Sequence, residues 1–212
     1  MTAEALEEDH YYVAGYCVED DPYVYPNGVL INQFGLQDTQ SLNEIEADVS
    51  ALGVAELMEA NIPQTFDTQT LRYIHRVIFS SVYPWAGEFR KVDIAKRDTQ
   101  FLPNGEIQAA LDELFAQAKQ SQFFTGLPKE DFARIAAEFL LRLNQIHPFR
   151  EGNGRTQRTL MSWMAMNAGY DMKWGGVSNH AMCEACIEGE QGSSTKMRKL
   201  FMIYLDALPA QE

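Results

Sequence analysis

The chain has 212 residues, of which 46% are hydrophobic and 22% are charged. These proportions are those of an ordinary globular protein, and the length fits a single domain. The sequence carries 17 basic and 30 acidic residues, which gives a net charge of −13. Because so acidic a surface repels a phosphate backbone, a general role in binding DNA or RNA is excluded. No apolar run approaches the length of a membrane span, so no membrane partner is expected.

The N-terminal region lacks the basic and apolar parts of a signal peptide. The three cysteines, Cys17, Cys183 and Cys186, are too few and too unevenly placed for a disulfide framework. A reducing cytoplasm is therefore the expected compartment. His180, Cys183 and Cys186 recur every three residues, but three ligands do not complete a zinc site, and we expect buried helix thiols instead.

Acidic side chains are concentrated in residues 1–22, which we predict to be a flexible, solvated segment. The folded domain is predicted over residues 23–208. Within it, apolar residues recur at helical spacing in about seven stretches, so the fold class is predicted to be all-α. His75 lies beside the apolar stripe of the second stretch and is interpreted as a structural histidine.

Capping residues predict where the helices begin. Ser41, with Glu44 three residues later, has the pattern of a capping box for a helix to about residue 60. The predicted starts of the other helices are Asp67, Asn104, Pro128, the residues after Gly152, Ser178 and Ser194. The helix after Pro128 has the widest apolar stripe, and the last helix is predicted to extend to about Leu208.

A short hairpin is predicted between Val92 and Leu102. Val92 and Ile94 alternate as in a strand, residues 96–98 form a turn, and residues 99–102 return. A single hairpin cannot form a sheet core, so it is expected on the surface with a free edge. An extended segment of a partner protein could pair with that edge, and a plain surface hairpin is the alternative.

The stretch HPFREGNGRTQR, residues 147–158, brings several chemical groups together. Pro148 disfavours helical backbone at His147, so the preceding helix stops and His147 is expected near solvent. Its imidazole suits proton transfer near neutral pH. Phe149 is expected to turn inward. Glu151 offers a hard oxygen ligand for a Mg²⁺ ion that shares its shell with phosphate oxygens.

The second half of this stretch predicts an anion site. Gly152-Asn153-Gly154 allows successive backbone N–H groups to converge on an anion at the start of a helix. Arg155 and Arg158 lie on one face of the first helical turn, where two cations repel the positive end of the helix. That placement is explained if a polyphosphate occupies the space between them. A base, a metal ligand and phosphate clamps together indicate phosphoryl or nucleotidyl transfer to a hydroxyl group.

These residues resemble the Fic-domain signature H-x-F-x-[DE]-G-N-G-R-x-x-R without a gap. The resemblance extends over about residues 20–205 and includes DPYVYPNGVL, IHRVIFSSVYPWAGEFRKVDI and NAGYDMKW. It implies a Fic fold, a helical bundle with one surface hairpin, or flap, beside the active site. It also implies a protein adenylyltransferase of the toxin type that is paired with a small separate antitoxin.

The resemblance assigns a role to each residue of the motif. His147 would deprotonate a hydroxyl of a target protein that receives AMP from ATP, and Glu151 would hold Mg²⁺. Asn153 and the backbone of Gly152 and Gly154 would cradle phosphates that Arg155 and Arg158 hold. The residues assigned to the flap that docks the target are Val92, Asp93, Ile94, Ala95, Lys96, Phe101 and Leu102. The ATP-binding subunit of a type II topoisomerase is the target implied for toxin-like members.

Many members of this family restrain themselves with a motif [ST]-x-x-x-E-[GN], whose glutamate pairs with the second arginine. Neither Glu-Gly pair of this chain, at Glu151 and Glu188, has Ser or Thr at the required position, and no Glu-Asn pair occurs. An antitoxin carrying the motif is therefore expected to place its glutamate on Arg158. Transfer of another phosphate-containing group, removal of AMP and a nucleotide-binding interaction module without activity are the alternative functions.

Overall fold

The computed structural model describes residues 12–13, 21–96 and 99–209. Seven α-helices lie in these ranges: α1 (Thr39–Glu59), α2 (Thr68–Phe79), α3 (Ile107–Gln120), α4 (Lys129–Ile146), α5 (Asn153–Asn167), α6 (Asn179–Glu190) and α7 (Thr195–Tyr204). The strands are β1 (Tyr12–Val13), β2 (Ile94–Lys96), β3 (Thr99–Gln100), β4 (Tyr170–Met172) and β5 (Leu205–Ala207). The prediction of a mainly helical fold with about seven helices is confirmed.

The chain forms two compact units. The first comprises the described residues up to Ala60, together with Arg72–Gln108 and His147–Thr156. Its core contains Leu57 of α1, Ile78 of α2 and Phe149 of the motif, each at most 1% exposed. Gly53 lets α1 approach α2 closely, because a Cβ atom on Gly53 would lie 2.8 Å from both the Cα atom of Ile78 and the carbonyl oxygen of Val77.

The second unit comprises Asn61–Leu71, Ala109–Ile146 and the described residues from Gln157 onward. Helix α4 contacts α6 and α7 within it. The apolar stripe that predicts α4 is buried except for the half-buried Ile135, as expected of a helix that supplies a core. Helices α2 and α5 each contribute residues to both units.

Two of the predicted helix starts are confirmed by capping contacts, whereas the third α-helix begins at Ile107, after a 3-10 turn at Asn104–Glu106. Asp67 accepts a hydrogen bond from the backbone N–H of Thr70 at 2.7 Å, and Ser178 accepts one from Ala181 at 3.1 Å. The prediction for α1 is wrong, because Asp38 is the cap and accepts both the N–H and the hydroxyl of Ser41. Two eligible capping residues stand three positions apart there, and a carboxylate bonds the N–H groups of a first turn as well as a hydroxyl does.

The C-terminal helix is shorter than predicted. It ends at Tyr204, and Leu205–Ala207 forms β5, which pairs antiparallel with β4. Leu205, which fits the apolar face of a helix in the sequence, is buried as part of this strand. The described residues therefore contain two small antiparallel sheets where one hairpin is predicted.

The predicted hairpin exists, with β2 and β3 paired antiparallel. Its expected free edge is only partly free. Strand β1 pairs with the other edge of β2, with Tyr12 opposite Ala95 and Val13 opposite Ile94. Ile94 and Ala95 are also buried, at 1% and 0% exposure, so β2 is the middle strand of a three-stranded sheet.

The predicted flexible segment, residues 1–22, lies mostly outside the described residues. Where the structure describes it, Asp21 is 6% exposed, which differs from a solvated side chain. None of the helices in the described ranges is both long enough and apolar enough to cross a membrane.

Replacing Gly53 with alanine tests the contact between α1 and α2. Glycine to alanine inside a helix normally stabilises it by about 0.5–1 kcal/mol. Here the added methyl group meets backbone atoms of α2, so we expect a loss of about 1–3 kcal/mol in the free energy of unfolding. Urea denaturation measures it. Gly105→Ala is the control, because no atom lies within 4 Å of a Cβ at Gly105. A Gly53→Ala variant at least as stable as the parent would contradict the packing.

Candidate active site

His147 lies directly after α4, and its backbone has a φ angle of +46°. Left-handed backbone is uncommon outside glycine, and Pro148 disfavours the helical alternative at this position. The expectation that His147 lies near solvent is wrong, because the residue is 4% exposed. The Phe101 ring of the hairpin stacks on the imidazole, with 3.8 Å between ring centroids and 20° between planes. The hairpin therefore covers the imidazole.

Arg90 holds the hairpin and the His147 loop together, and sequence reasoning assigned it no role. Its Nε donates to the His147 carbonyl at 2.9 Å, and its Nη1 donates to that of Val92 at 2.8 Å. Its Nη2 donates to the Leu102 carbonyl. Among the other predicted flap residues, Asp93 accepts hydrogen bonds from Asn104, and Lys96 is half-buried.

His75 contacts the motif through a hydrogen bond and a stacked ring. The backbone N–H of Gly87 donates to its Nδ1 at 2.8 Å, so that nitrogen is an acceptor. The proton of the neutral ring is then on Nε2, which lies 3.0 Å from the carbonyl oxygen of Glu151 and donates to it. The ring also stacks on Phe149 at 3.8 Å. The prediction of a structural histidine is confirmed, as is the inward position of Phe149, which is 0% exposed.

Gly152 and Asn153 shape the turn between Glu151 and α5. Gly152 has a φ of +81°, and a Cβ atom there would overlap the ring of Phe79. The Asn153 side chain is spent within the loop, because its Oδ1 accepts the Phe149 N–H at 2.9 Å and its Nδ2 donates to the Phe149 carbonyl at 2.7 Å. The side chain therefore shapes the loop, while the backbone N–H of Asn153 is one of the groups that lack a partner within the helix and can contact a phosphate.

Arg155 already has partners on α1. Its guanidinium donates to the hydroxyl of Ser50 at 2.9 Å and to the carboxylate of Glu46. It also lies 4.6 Å from the centre of the Phe79 ring. Tyr83 donates its hydroxyl to the same carboxylate of Glu46, which is 8% exposed. Sequence reasoning missed Glu46, which carries no local signal.

The Glu151 carboxylate is half-buried and lies 3.7 Å from Arg155. Burial and the negative charge of Glu46 raise its pKa, whereas Arg155 opposes the rise. Its Oε1 accepts the Gly152 N–H at 2.8 Å. The other carboxylate oxygen makes no hydrogen bond to a described residue, so it is available to a cation. One carboxylate beside a phosphate site fits Mg²⁺, which takes its remaining ligands from phosphates and water.

Arg158, the second predicted phosphate clamp, belongs to the second unit. It lies on α5 three residues after Arg155 and is half-buried. Its backbone carbonyl accepts a hydrogen bond from the indole N–H of Trp174 at 3.1 Å. Gly154 lies in the first turn of α5, as predicted.

A buried ion pair, which the sequence does not reveal, fixes the middle of the motif. Arg150 donates to Asp21 through Nε at 3.1 Å and through Nη2 at 2.8 Å. Both residues are at most 6% exposed. Loss of Asp21 would leave the buried charge of Arg150 without compensation, which is strongly destabilising. Asp21 is therefore part of the folded structure.

The thiols of α6 are not buried as predicted, because Cys183 is exposed and Cys186 is half-buried. This helix turns Ala185 and Gly189 inward, and a Cβ on Gly189 would overlap Leu141 of α4. Cys183 consequently faces outward. Across the described ranges, no three or more His, Cys, Asp or Glu side chains are grouped as a metal site would require.

Comparison with known proteins places this geometry in a family. The Fic/DOC family model matches residues 65–165. The "Probable protein adenylyltransferase Fic" of Escherichia coli K12 is 30% identical over 182 residues, which cover 85% of this chain and 90% of the relative. The chain belongs to the Fic/DOC family.

Two further comparisons give the enzyme class and the fold. Protein adenylyltransferase VbhT of Bartonella schoenbuchensis is 35% identical over 85% of this chain, but the match spans only 38% of that longer protein. The crystal structure of BepC from Bartonella tribocorum with bound AMPPNP is 27% identical, with a TM-score of 0.83, and the match covers 88% of this chain and 97% of BepC. The expected Fic fold and the expected enzyme class, protein adenylyltransferase, are confirmed.

The buried His75 predicts a pH dependence of stability. Burial lowers its pKa to about 3, against 6.5 for a free imidazole, although the bond with Glu151 opposes the shift. Between these values the unfolded chain binds a proton that the folded chain does not, so stability falls as the pH falls below 6.5. We expect His75 to account for a loss of about 2 kcal/mol between pH 7 and 5.

Urea denaturation of His75→Gln across this pH range measures the effect. The variant should lose less stability on acidification than the parent. His180→Gln is the control, because the His180 side chain is 84% exposed. Equal pH slopes for His75→Gln and the parent would show that His75 is not held neutral.

Proposed function

We propose that this chain transfers AMP from ATP to a hydroxyl side chain of another protein, with His147 as the base. The observation that carries the proposal is a buried imidazole that lies one short loop before the helix start Asn153-Gly154-Arg155. The relatives named protein adenylyltransferase support the reaction class. The AMPPNP bound to BepC, an analogue of ATP, supports the nucleotide.

In the proposed reaction, His147 takes the proton of the target hydroxyl as its oxygen attacks the α-phosphorus of ATP. The bond from the α-phosphorus to the oxygen that bridges to the β-phosphate breaks, and pyrophosphate leaves. Glu151 would hold Mg²⁺, which when bound neutralises charge on the phosphate oxygens. The chain itself supplies position and a proton acceptor, which this kind of transfer mainly requires.

The phosphates would be held at the beginning of α5. The backbone N–H groups of Gly152, Asn153 and Gly154 and the positive end of the helix suit an anion. Arg155 and Arg158 would add charge. Arg155 already donates hydrogen bonds to Glu46 and Ser50. It would therefore contact a phosphate only through its remaining N–H groups.

We also propose that the hairpin Val92–Leu102 docks the target segment beside His147. Pairing with a strand edge uses main-chain hydrogen bonds, so it does not require a particular sequence in the target. The Phe101 side of the hairpin already contacts His147. A target strand that enters at the outer edge of β2 has to displace Tyr12–Val13, which pair there. Docking at the outer edge of β3 does not require that displacement.

Incubation with ATP labelled at the α-phosphate tests the reaction. We expect label on a protein of a host-cell lysate, and loss of at least 100-fold for His147→Ala, since general base catalysis contributes about 10²–10⁴-fold. The control is His180→Ala, at an exposed position on α6, which should label normally. Label that transfers only from the γ-phosphate would instead indicate transfer of another phosphate-containing group. Release of AMP from a modified protein, without transfer, would indicate removal of AMP.

The toxin role is a further part of the proposal. The chain would act in the cytoplasm on a target such as the ATP-binding subunit of a type II topoisomerase. A small antitoxin with [ST]-x-x-x-E-[GN] would place its glutamate on Arg158. The support is that neither Glu-Gly pair of this chain lies in such a motif.

Mixing the chain with a small protein that carries the antitoxin motif tests this arrangement. Labelling from α-labelled ATP should fall to background, because a glutamate paired with Arg158 removes one phosphate clamp. The same partner with its motif glutamate changed to glutamine is the control and should leave labelling in place. Unchanged labelling with the unaltered partner would count against control through Arg158.

A further inference from the structure

Arg90 lies outside the motif, and its side chain is 0% exposed. Its guanidinium and its backbone N–H together reach the carbonyl oxygens of His147, Pro148, Val92 and Leu102. Two of these residues form the loop of the base, and the other two flank the hairpin. Arg90 therefore bonds both the His147 loop and the hairpin. A target hydroxyl would have to be held between these two segments.

The buried guanidinium of Arg90 has a distant, partly exposed carboxylate as an ion-pair partner. The carboxylate of Asp93 lies 3.6 Å from this guanidinium, and the Asp93 side chain is 44% exposed. Burial lowers the pKa of Arg90 to about 10, so the group stays protonated at neutral pH at a cost. Well-packed apolar residues of similar volume often replace a buried ion pair without loss of stability, so burial of a charge is weak evidence for a purely stabilising role. The planar fork of arginine, however, can bond several carbonyls in fixed directions, which a lysine cannot.

We propose that Arg90 is a positioning residue that fixes the His147 imidazole relative to the target-docking hairpin. Arg90 bonds the carbonyl of His147, whose backbone is in the unusual left-handed region. It also bonds Leu102, next to Phe101, the ring that stacks on the imidazole. The proposal rests on His147 being the base of the proposed function.

The contacts of Arg90 predict which step depends on it. The four carbonyl oxygens that Arg90 bonds belong to the His147 loop and the hairpin, and not to the first turn of α5, where the nucleotide is proposed to bind. Loss of Arg90 should therefore spare ATP binding and impair transfer to the protein substrate. Misplacement of a reacting group by about 1 Å costs up to about 100-fold in rate.

The first measurement is the ¹H NMR spectrum of the imidazole protons of His147 in the full chain, assigned by their absence in His147→Ala. Stacking on Phe101 should shift them upfield. We expect Arg90→Met and Arg90→Lys to lose most of this shift. Arg72→Met is the matched control, because Arg72 also donates to a backbone carbonyl, that of Gly87 at 2.7 Å, and lies over a ring, that of Phe89. It should keep the shift.

The second measurement separates nucleotide from protein substrate. For the Arg90 variants, the Kd for ATP should stay within about twofold of the parent, while α-label transfer to a lysate protein falls about 10- to 100-fold. Arg72→Met should transfer label nearly normally. If Arg90→Met does not fold, Arg90→Lys alone decides the matter, because its single ammonium group cannot bond three carbonyls in the arginine geometry.

Two results would overturn the role of Arg90. One is a His147 shift that persists in the Arg90 variants, and the other is a loss of ATP binding that matches the loss of transfer. Absence of label transfer in the parent chain would instead contradict the proposed function. The NMR comparison would still decide whether Arg90 fixes the imidazole.

Discussion

The shape of the loop at residues 147–152 depends on its packing against one face of α2. His75 donates to the carbonyl of Glu151 and stacks on Phe149, and Phe79 fills the space that Gly152 leaves by having no side chain. The histidine can do this only as the neutral tautomer with its proton on Nε2, which burial and the N–H of Gly87 enforce. The turn before α5 is therefore set by packing beneath it, before any ligand is considered.

Charge is balanced around this loop within the first unit. Glu46 binds Arg155, which in turn lies beside Glu151, while Tyr83 donates to Glu46. Two arginines at a helix start repel the helix dipole, and the sequence suggests that a polyphosphate must compensate both. For Arg155, part of the compensation is an internal carboxylate. Its role is therefore partly to hold Glu151 and α1 in place.

How much of the fold could be predicted depended on whether the signal was local. Asp67 and Ser178 cap helices because a capping bond spans only three residues, and the stripe of α4 is a repeat along one segment. Strands β4 and β5 were missed since each is three residues long and, among the described strands, pairs only with the other. The pairing of Tyr12–Val13 with β2 likewise joins segments far apart in the chain.

By itself, the sequence determined which chemical groups the candidate site brings together: His147, Glu151, the Gly152–Gly154 turn and two arginines on one helix turn. Residue type and short spacing suffice for that, because a turn and a helix start are local structures. Only the tertiary structure decided that His147 is buried beneath Phe101, that Arg90 bonds the His147 loop to the hairpin, and that Asp21 and Glu46 neutralise Arg150 and Arg155. These contacts join residues separated by up to 129 positions, and a partner at such a distance leaves no periodic trace in the sequence.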